Sequence, residues 1–308
     1  MMHIQRNQIA DTVRNLFNFN VVKKPLSAVT KSDEINPIGE LLETPCYGLF
    51  REDTGQYVGG GSVSDRYEPH TTDDVIALVE SAANAFDDDV QLTASFDRGH
   101  FIEVAPSNER RIQIHGEHDN VFPRMIISAG YNSRPFASSI GFYRDLCSNL
   151  AMLESVEDTS VSIRHTRSLR DKMDDLIEIF NGLRDGWSTL TDTIKHMNNR
   201  EVHIREFLLD IYGTPSVDAE GNVSSRSRTM HENRIYSIMK RLHNERHRSG
   251  REILKGSVVS AWEAYNAVQG HAQHDASRKG GDKTNFQRAL LAARDPHVKA
   301  AERLAIAA

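Results

Sequence analysis

The chain has 308 residues, of which 39% are hydrophobic, with 37 Lys and Arg against 43 Asp and Glu and a formal net charge of −6. This composition is ordinary for a soluble globular protein of one large domain or two, and no run approaches 18 apolar residues, so no membrane-spanning helix is predicted. The N-terminus lacks the apolar core of a secretory signal. Two cysteines, Cys46 and Cys147, give neither a disulfide framework nor a metal spacing, so we expect a cytoplasmic protein.

The N-terminal half predicts an α+β fold, because segments of helical periodicity alternate with segments of strand-like alternation. The helix after Thr71 or Thr72 is the clearest, since either residue can cap it and Asp73 and Asp74 occupy its first turn. From 90 to 128 the pattern predicts an antiparallel meander packed on helices. The predicted elements are a helix over 3–18, a connection over 23–44, strands over 46–50 and 56–63, a helix over 72–86, strands over 91–96, 100–104, 111–115 and 124–128, and a helix over 138–153.

The longest regular signal is a heptad-like pattern between residues 167 and 198. Large apolar residues recur there at alternating steps of four and three, which is typical of a helix packed against one or more others. We expect this seam to form part of a homo-oligomer interface, and an intramolecular hairpin of helices is the alternative. The oligomerisation candidates are Leu176, Phe180, Leu183, Trp187, Leu190 and Ile194.

The C-terminal part of the chain is basic. From Arg226 to Ala308 there are 16 Lys and Arg against 8 Asp and Glu, whereas residues 1–225 carry a net charge of −14. Such asymmetry predicts a segment that binds nucleic acid or another chain, and a basic helical segment docked on an acidic body explains it equally well. The predicted domains are a mixed α+β domain (1–165), a long heptad-patterned helical segment (166–213), a linker (214–228) and a basic helical region (229–308).

Arginine and aromatic residues interleave in the centre of the chain, between residues 124 and 170. Planar guanidinium groups among aromatic faces suit a phosphate backbone with unstacked bases. The alternative is that the aromatic residues are core and the arginines a solvated rim. Together with basic residues after position 225, the nucleic-acid-binding candidates are Arg124, Tyr131, Arg134, Tyr143, Arg144, Arg164, His165, Arg167, Arg170, Arg226, Arg228, Arg234, Lys240 and Arg241.

Four short motifs occur in the order found in one family. They are SVSDRYEPHTTDDVIALVESA at 62–82, RDLCSN at 144–149, RHT at 164–166 and SAWEAYNAVQGHAQHD at 260–275. In these motifs the chain resembles the phage/plasmid-like protein family, a domain of unknown function in phages, prophages and conjugative plasmids. The resemblance implies a mobile-element origin, and with it the cytoplasm of a host cell, but it names no reaction.

No motif of nucleophilic, nucleotide-binding or kinase chemistry is present, so the sequence does not support an enzyme. Three histidine groups have suitable local spacing for a metal, and the best of them consists of His271, His274 and Asp275. The histidine pairs lack an evident third ligand nearby, and we predict neither a metal nor a cofactor.

Two functions remain. The first is a nucleic-acid-binding protein of a mobile element, with DNA favoured, that binds or anneals single strands as an oligomer. The second is a structural or host-takeover interaction protein that oligomerises through its long helix. Neither a membrane nor a small-molecule cofactor is an expected partner.

Overall fold

The computed structural model describes most of the chain, and the contacts group its residues into two compact units. Unit 1 comprises 1–108, 125–139 and 160–184, and unit 2 comprises 109–124, 140–159 and 185–308. The predicted domain division rests on composition and helix pattern and stays a prediction. The described residues are 1–30, 39–96, 99–108, 111–115, 119–131, 136–151, 160–165, 187–219, 221–251, 257–276, 285–293 and 295–307.

Strands dominate the N-terminal half and helices the C-terminal half, which confirms the predicted α+β class. The described elements are β1 (Met2–Ile4), a 3₁₀ turn (Arg6–Gln8), α1 (Ile9–Leu16), β2 (Val21–Val29), β3 (Leu41–Arg51), α2 (Thr72–Phe86), β4 (Val90–Phe96), β5 (Gly99–Pro106), β6 (Ile112–Gln113), β7 (Asn120–Gly130), β8 (Phe136–Arg144), β9 (Asn149–Ala151), β10 (Ser160–Ile163), α3 (187–199), β11 (Glu201–His203), α4 (Ile204–Tyr212), α5 (Ser225–Arg248), β12 (Val258–Ser260), α6 (Ala261–Gly270), a π-helical turn (His271–Asp275), α7 (Asn285–Ala293) and α8 (Pro296–Ile306).

The main sheet is antiparallel, with strand order β1-β4-β5-β7-β8-β10. The predicted meander is therefore confirmed. Helix α2 packs on α1 and β5, and its capping box is formed by Thr71 and Asp74 as the sequence indicates. Asp87 follows the helix in the left-handed conformation, with φ of 53°, and ends it where predicted.

In the first fifty residues one predicted helix is confirmed over a shorter range, and one predicted connection is wrong. The predicted helix over 3–18 is helical only from Arg6 onward, because Met2–Ile4 pairs with β4. The predicted connection over 23–44 supplies most of a two-stranded sheet, β2-β3. The prolines of this segment led to the prediction of a connection. A strand at the edge of a sheet can nevertheless contain Pro25, because the N–H that proline lacks is not needed there for pairing.

The predicted strand over 56–63 is reduced to isolated bridges at Tyr57 and Val63.

The predicted helix over 138–153 is also wrong, because residues 136–144 form strand β8. Phe136, Phe142 and Arg144 are buried, whereas Ala137 and Tyr143 beside them are only partly buried, which is the two-residue period of a strand. The apolar spacing fits a helix as well. Pairing with β9 and β10 selects the strand, and this pairing cannot be seen in the local sequence.

Unit 2 packs helices around α6, all ten residues of which are buried. Helix α6 contacts α5, α8 and β9 and begins at a capping box of Ser260 and Glu263. Arg200, after α3, donates to the carbonyl oxygens of Leu304 and Ala305 at 2.6 and 3.2 Å. These long-range contacts hold the last helix of the unit in place.

The described part of the heptad-like seam is buried within a single chain. Leu190 and Ile194 of α3 are fully buried, and Trp187 is half-buried. Their burial favours the intramolecular alternative for this part of the seam, and the oligomer stays a prediction. Leu176, Phe180 and Leu183 lie outside the described residues. No helix in the described ranges combines the length and apolar character needed to cross a membrane.

Candidate nucleic-acid interface

Helix α5 concentrates basic residues, with seven Lys and Arg against two Glu and a net charge of +5. The Ser224 hydroxyl caps it by accepting the Ser227 N–H at 3.1 Å. Three basic residues, Arg246, His247 and Arg248, occupy the last turn, where the helix dipole favours positive charge. Local sequence thus specifies a long basic helix.

One face of α5 is exposed along its whole length. Seven exposed residues recur on it at steps of three and four, which places them on one side of a helix. All seven side chains can donate a hydrogen bond, and none is negatively charged. We call this face the outward stripe, and it consists of Arg226, Thr229, Asn233, Tyr236, Lys240, Asn244 and His247.

The basic residues of the inner face are already engaged within unit 2. Arg241 binds Asp275 bidentately, at 2.8 and 2.7 Å. Arg246 donates to both oxygens of Glu263 at 2.9 and 3.0 Å. Arg226, Arg228 and Lys240 form no ion pair within the described ranges and are exposed. The helix therefore separates compensated inner charges from outer charges that are available to a ligand.

A buried ion cluster fixes the inner face of α5. The Arg144 guanidinium is 2% exposed and binds both oxygens of Asp119 at 2.7 and 2.8 Å. It also donates to Glu245 of α5 at 2.7 Å. Burial raises the pKa of the Glu245 carboxyl, and Arg144 and Arg241 offset part of that rise. The cluster consequently positions α5 and is closed to a phosphate.

Three predicted contacts are removed from the interface by burial. Arg144 serves the ion cluster just described. Tyr131 is 1% exposed, and its hydroxyl donates to the His70 carbonyl oxygen at 3.0 Å. His165 is buried and stacks on Tyr67 with ring centroids 5.0 Å apart. The alternative that these central aromatic residues are core is therefore correct.

The other predicted contact residues differ in how exposed they are. Arg124 lies near the rings of Phe122 and Tyr143, at 5.9 and 5.2 Å from their centroids, and is half-buried. Arg164 is exposed. Arg234 and Arg241 face inward, Arg234 with its guanidinium 5.2 Å from the centre of the Tyr212 ring. Arg134, Arg167 and Arg170 lie outside the described residues.

Sequence reasoning missed five residues of the outward stripe, which are Thr229, Asn233, Tyr236, Asn244 and His247. The signal was present, because a helical projection of 225–248 places these residues opposite Ile238 and Leu242. A prediction based on charge alone omits the neutral hydrogen-bond donors that lie between the cations.

Unit 1 contains a buried histidine cluster. The ring nitrogens His70 Nε2 and His100 Nδ1 lie 2.8 Å apart, and the His70 ring stacks on Tyr131 at 4.2 Å between centroids. Burial lowers the pKa of His70, and lowers that of His100 to about 3, so both rings are neutral at pH 7. The second nitrogens, His70 Nδ1 and His100 Nε2, have no hydrogen-bond partner in the described ranges.

The predicted metal candidates are engaged in hydrogen bonds and ion pairs. Asp275 is bound by Arg241, and His274 Nε2 lies 3.1 Å from Asn149 Oδ1. His271 Nδ1 lies 3.1 Å from the Ser237 hydroxyl. Across the described residues, no group of three or more His, Cys, Asp and Glu side chains is arranged to hold a metal ion.

A cleft of about 730 Å³ opens in unit 1 beside the N-terminus of α2. Its charged lining is mainly acidic, with Glu52, Asp53 and Asp73 against Arg14. Arg14 is itself paired with Asp73 at 3.1 Å. This cleft is unsuited to a phosphate backbone, so the outward stripe is the better candidate interface.

Comparison with known proteins gives one match. The family model "Domain of unknown function (DUF932)" matches residues 60–297, which is 238 of the 308 residues and includes all four motifs singled out in the sequence. No curated protein and no solved structure matches the chain. Because the match covers well over half of its length, the chain belongs to the family described as Domain of unknown function (DUF932).

Proposed function

We propose that this protein binds nucleic acid through the outward stripe of α5. The supporting observation is that seven exposed side chains along one helical face can all donate a hydrogen bond, and the only exposed carboxylate of α5, Glu232, lies at the edge of that face. A surface that only needs to be soluble ordinarily mixes both signs of charge. Phosphates accept hydrogen bonds and carry negative charge, so they complement such a face.

The ligand proposed is DNA, in single-stranded form. Binding or annealing of single strands by a homo-oligomer of mobile-element origin remains part of the proposal. The charge asymmetry of the chain supports binding to an anionic partner, and the origin rests on the resemblance in the four motifs. At 1.5 Å per residue the 24 residues of α5 span about 36 Å, which is long enough to follow several phosphates.

The test is fluorescence anisotropy with labelled DNA of about 20 nucleotides, single-stranded and duplex, at about 50 and 200 mM salt. The variant Arg226→Gln/Arg228→Gln/Lys240→Gln removes the Arg and Lys of the outward stripe together with exposed Arg228 near its N-terminal end. We expect it to bind every sequence more weakly and to reduce the salt slope on single strands by about two units, since each lost phosphate contact contributes about 0.7.

The matched control removes three exposed cations elsewhere, in Lys24→Gln/Arg66→Gln/Arg205→Gln. It should bind as the parent does. Equal losses in both triple variants would show that net charge alone is sensed, and the stripe would not be the interface. No binding by the parent would reject the proposal.

The charge asymmetry also favours a second candidate, in which the basic face of α5 meets an acidic surface of another copy. Residues 1–225 carry the necessary excess of negative charge. In that case light scattering of the parent without DNA should give a multiple of the chain mass, and the α5 triple variant should lower it.

A further inference from the structure

Tyr236 is the most exposed aromatic residue in the described ranges. It is 69% exposed, and the only other exposed Phe, Tyr or Trp residue in those ranges is Tyr57, at 44%. Within the described residues no ring contact or hydrogen bond involves the Tyr236 side chain. A large ring exposed in the middle of a helix gains nothing from burial, so packing in this chain does not explain it.

The position of Tyr236 within the outward stripe is central. It lies midway along α5, which runs from Ser225 to Arg248. Asn233 and Lys240, three residues before and four residues after it, neighbour the ring on one side of the helix. Exposed Glu232, four residues before it, neighbours the ring on the other side. A phosphate backbone is thereby attracted to the Lys240 side and repelled from the Glu232 side.

An exposed ring beside hydrogen-bond donors can distinguish single-stranded from duplex nucleic acid. In a duplex the bases stack on one another, and a groove offers only their edges. An aromatic side chain that stacks needs the free face of an unpaired base, and this contact is tolerant of sequence because every base has such a face. A ring flanked by backbone-binding donors therefore suits a single strand.

We propose that Tyr236 stacks on an unpaired base and gives α5 its preference for single strands over duplex. This inference rests on the proposed function of the outward stripe. Lys240 and Asn233 hold the phosphates on either side of the stacked nucleotide, and Tyr236 contributes through its ring rather than its hydroxyl.

The experiment compares Tyr236→Ala, Tyr236→Phe and the control Tyr57→Ala by anisotropy on single-stranded and duplex DNA. Tyr236→Ala should weaken single-strand binding about 5- to 100-fold and change duplex binding less than about twofold. Tyr236→Phe keeps the ring and should restore the parent affinity, and Tyr57→Ala should not differ from the parent. A thermal melt of each variant checks that it is folded.

A direct readout uses Tyr236→Trp. An exposed indole at this position should lose fluorescence when single-stranded DNA stacks on it, and duplex DNA should leave it unchanged. Trp187 and Trp262 give a constant background that is subtracted with the parent protein.

The outcomes separate the inference from the function on which it rests. If the charge variants weaken binding but Tyr236→Ala binds single strands as the parent does, the stacking role is wrong and the interface stands. An equal loss on single strands and duplex would also overturn the stacking role. If the parent binds neither form, the proposed function itself fails.

Discussion

Unit 1 buries His70 and His100 with two ring nitrogens 2.8 Å apart, whereas unit 2 buries Arg144 between the carboxylates of Asp119 and Glu245. The histidines stay neutral and leave one nitrogen each without a hydrogen bond in the described ranges. Arg144 is charged, and its polar partners Asp119, Cys147 and Glu245 lie within the same unit. A group that can lose its charge tolerates burial with few partners, but one that cannot must be supplied with counter-charges.

The largest expected effect is the loss of the counter-charge in unit 2. Arg144→Met leaves Asp119 and Glu245 buried without the guanidinium, which we expect to lower the free energy of unfolding by about 3–5 kcal/mol. Urea unfolding followed by tryptophan fluorescence measures it, because Trp187 and Trp262 both belong to unit 2. The same substitution at exposed Arg226 should cost at most about 0.5 kcal/mol. Equal effects at both positions would contradict the description of Arg144 as a buried ion-pair centre.

The second prediction concerns acid and unit 1. The folded pKa of His70 and of His100 lies below the unfolded value of about 6.5, so the unfolded state binds more protons. Stability of unit 1 is fully present above about pH 6.5 and falls as the pH drops toward the folded pKa, about 3 for His100. The loss reaches about 1.4 kcal/mol per pH unit for each histidine.

Hydrogen exchange in α2 and β5, corrected for its intrinsic pH dependence, measures this loss between about pH 7 and pH 5. The variant His100→Phe places another ring next to Phe17, whose centroid lies 4.4 Å from that of His100. It should reduce the acid sensitivity. Exchange protection that stays constant over this range would show that the histidines are not buried in their neutral form.

The smallest predicted effects come from the two helix caps. Thr71→Ala removes the cap of α2 in unit 1, and Ser260→Ala removes that of α6 in unit 2. Each should cost about 0.5–2 kcal/mol, and Thr71→Ser should retain most of the stability. Tryptophan fluorescence should detect only the Ser260 variant if the units unfold separately. A matching shift for Thr71→Ala would show that they unfold together.

Where local sequence determines the structure, prediction succeeded. Thr71, Asp73 and Asp74 specify the start of α2 within four residues, and alternation with short turns specifies β4 and β5. Prediction failed at 136–144 because Ile140 and Tyr143 fit a helical period, whereas buried Phe136, Phe142 and Arg144 follow the two-residue period of a strand. The choice between these periods depends on pairing with other strands, which the segment itself does not encode.

The candidate site was predicted in part for the same reason. Lys240 was predicted on a basic helix, whereas Arg226 and Arg228 were assigned to the linker over 214–228 and instead begin α5. Charge alone does not distinguish Lys240 from Arg241, which faces inward. Arg144 looked equally available because its partners lie 25 and 101 residues away in the sequence. A buried ion pair between distant residues leaves no local pattern.

The distance in sequence between Arg144 and Glu245 also determines the order in which the parts of the ion cluster are synthesised. A ribosome that adds about 5–20 residues per second needs about 5–20 s to synthesise the 101 residues between them. During that interval Arg144 has only Asp119 of its two carboxylate partners, because the helix that carries Glu245 has not yet been made. Unit 1 needs no residue beyond Arg184. The nascent chain can therefore complete its sheet first, while α5 is the last part of the ion cluster to arrive.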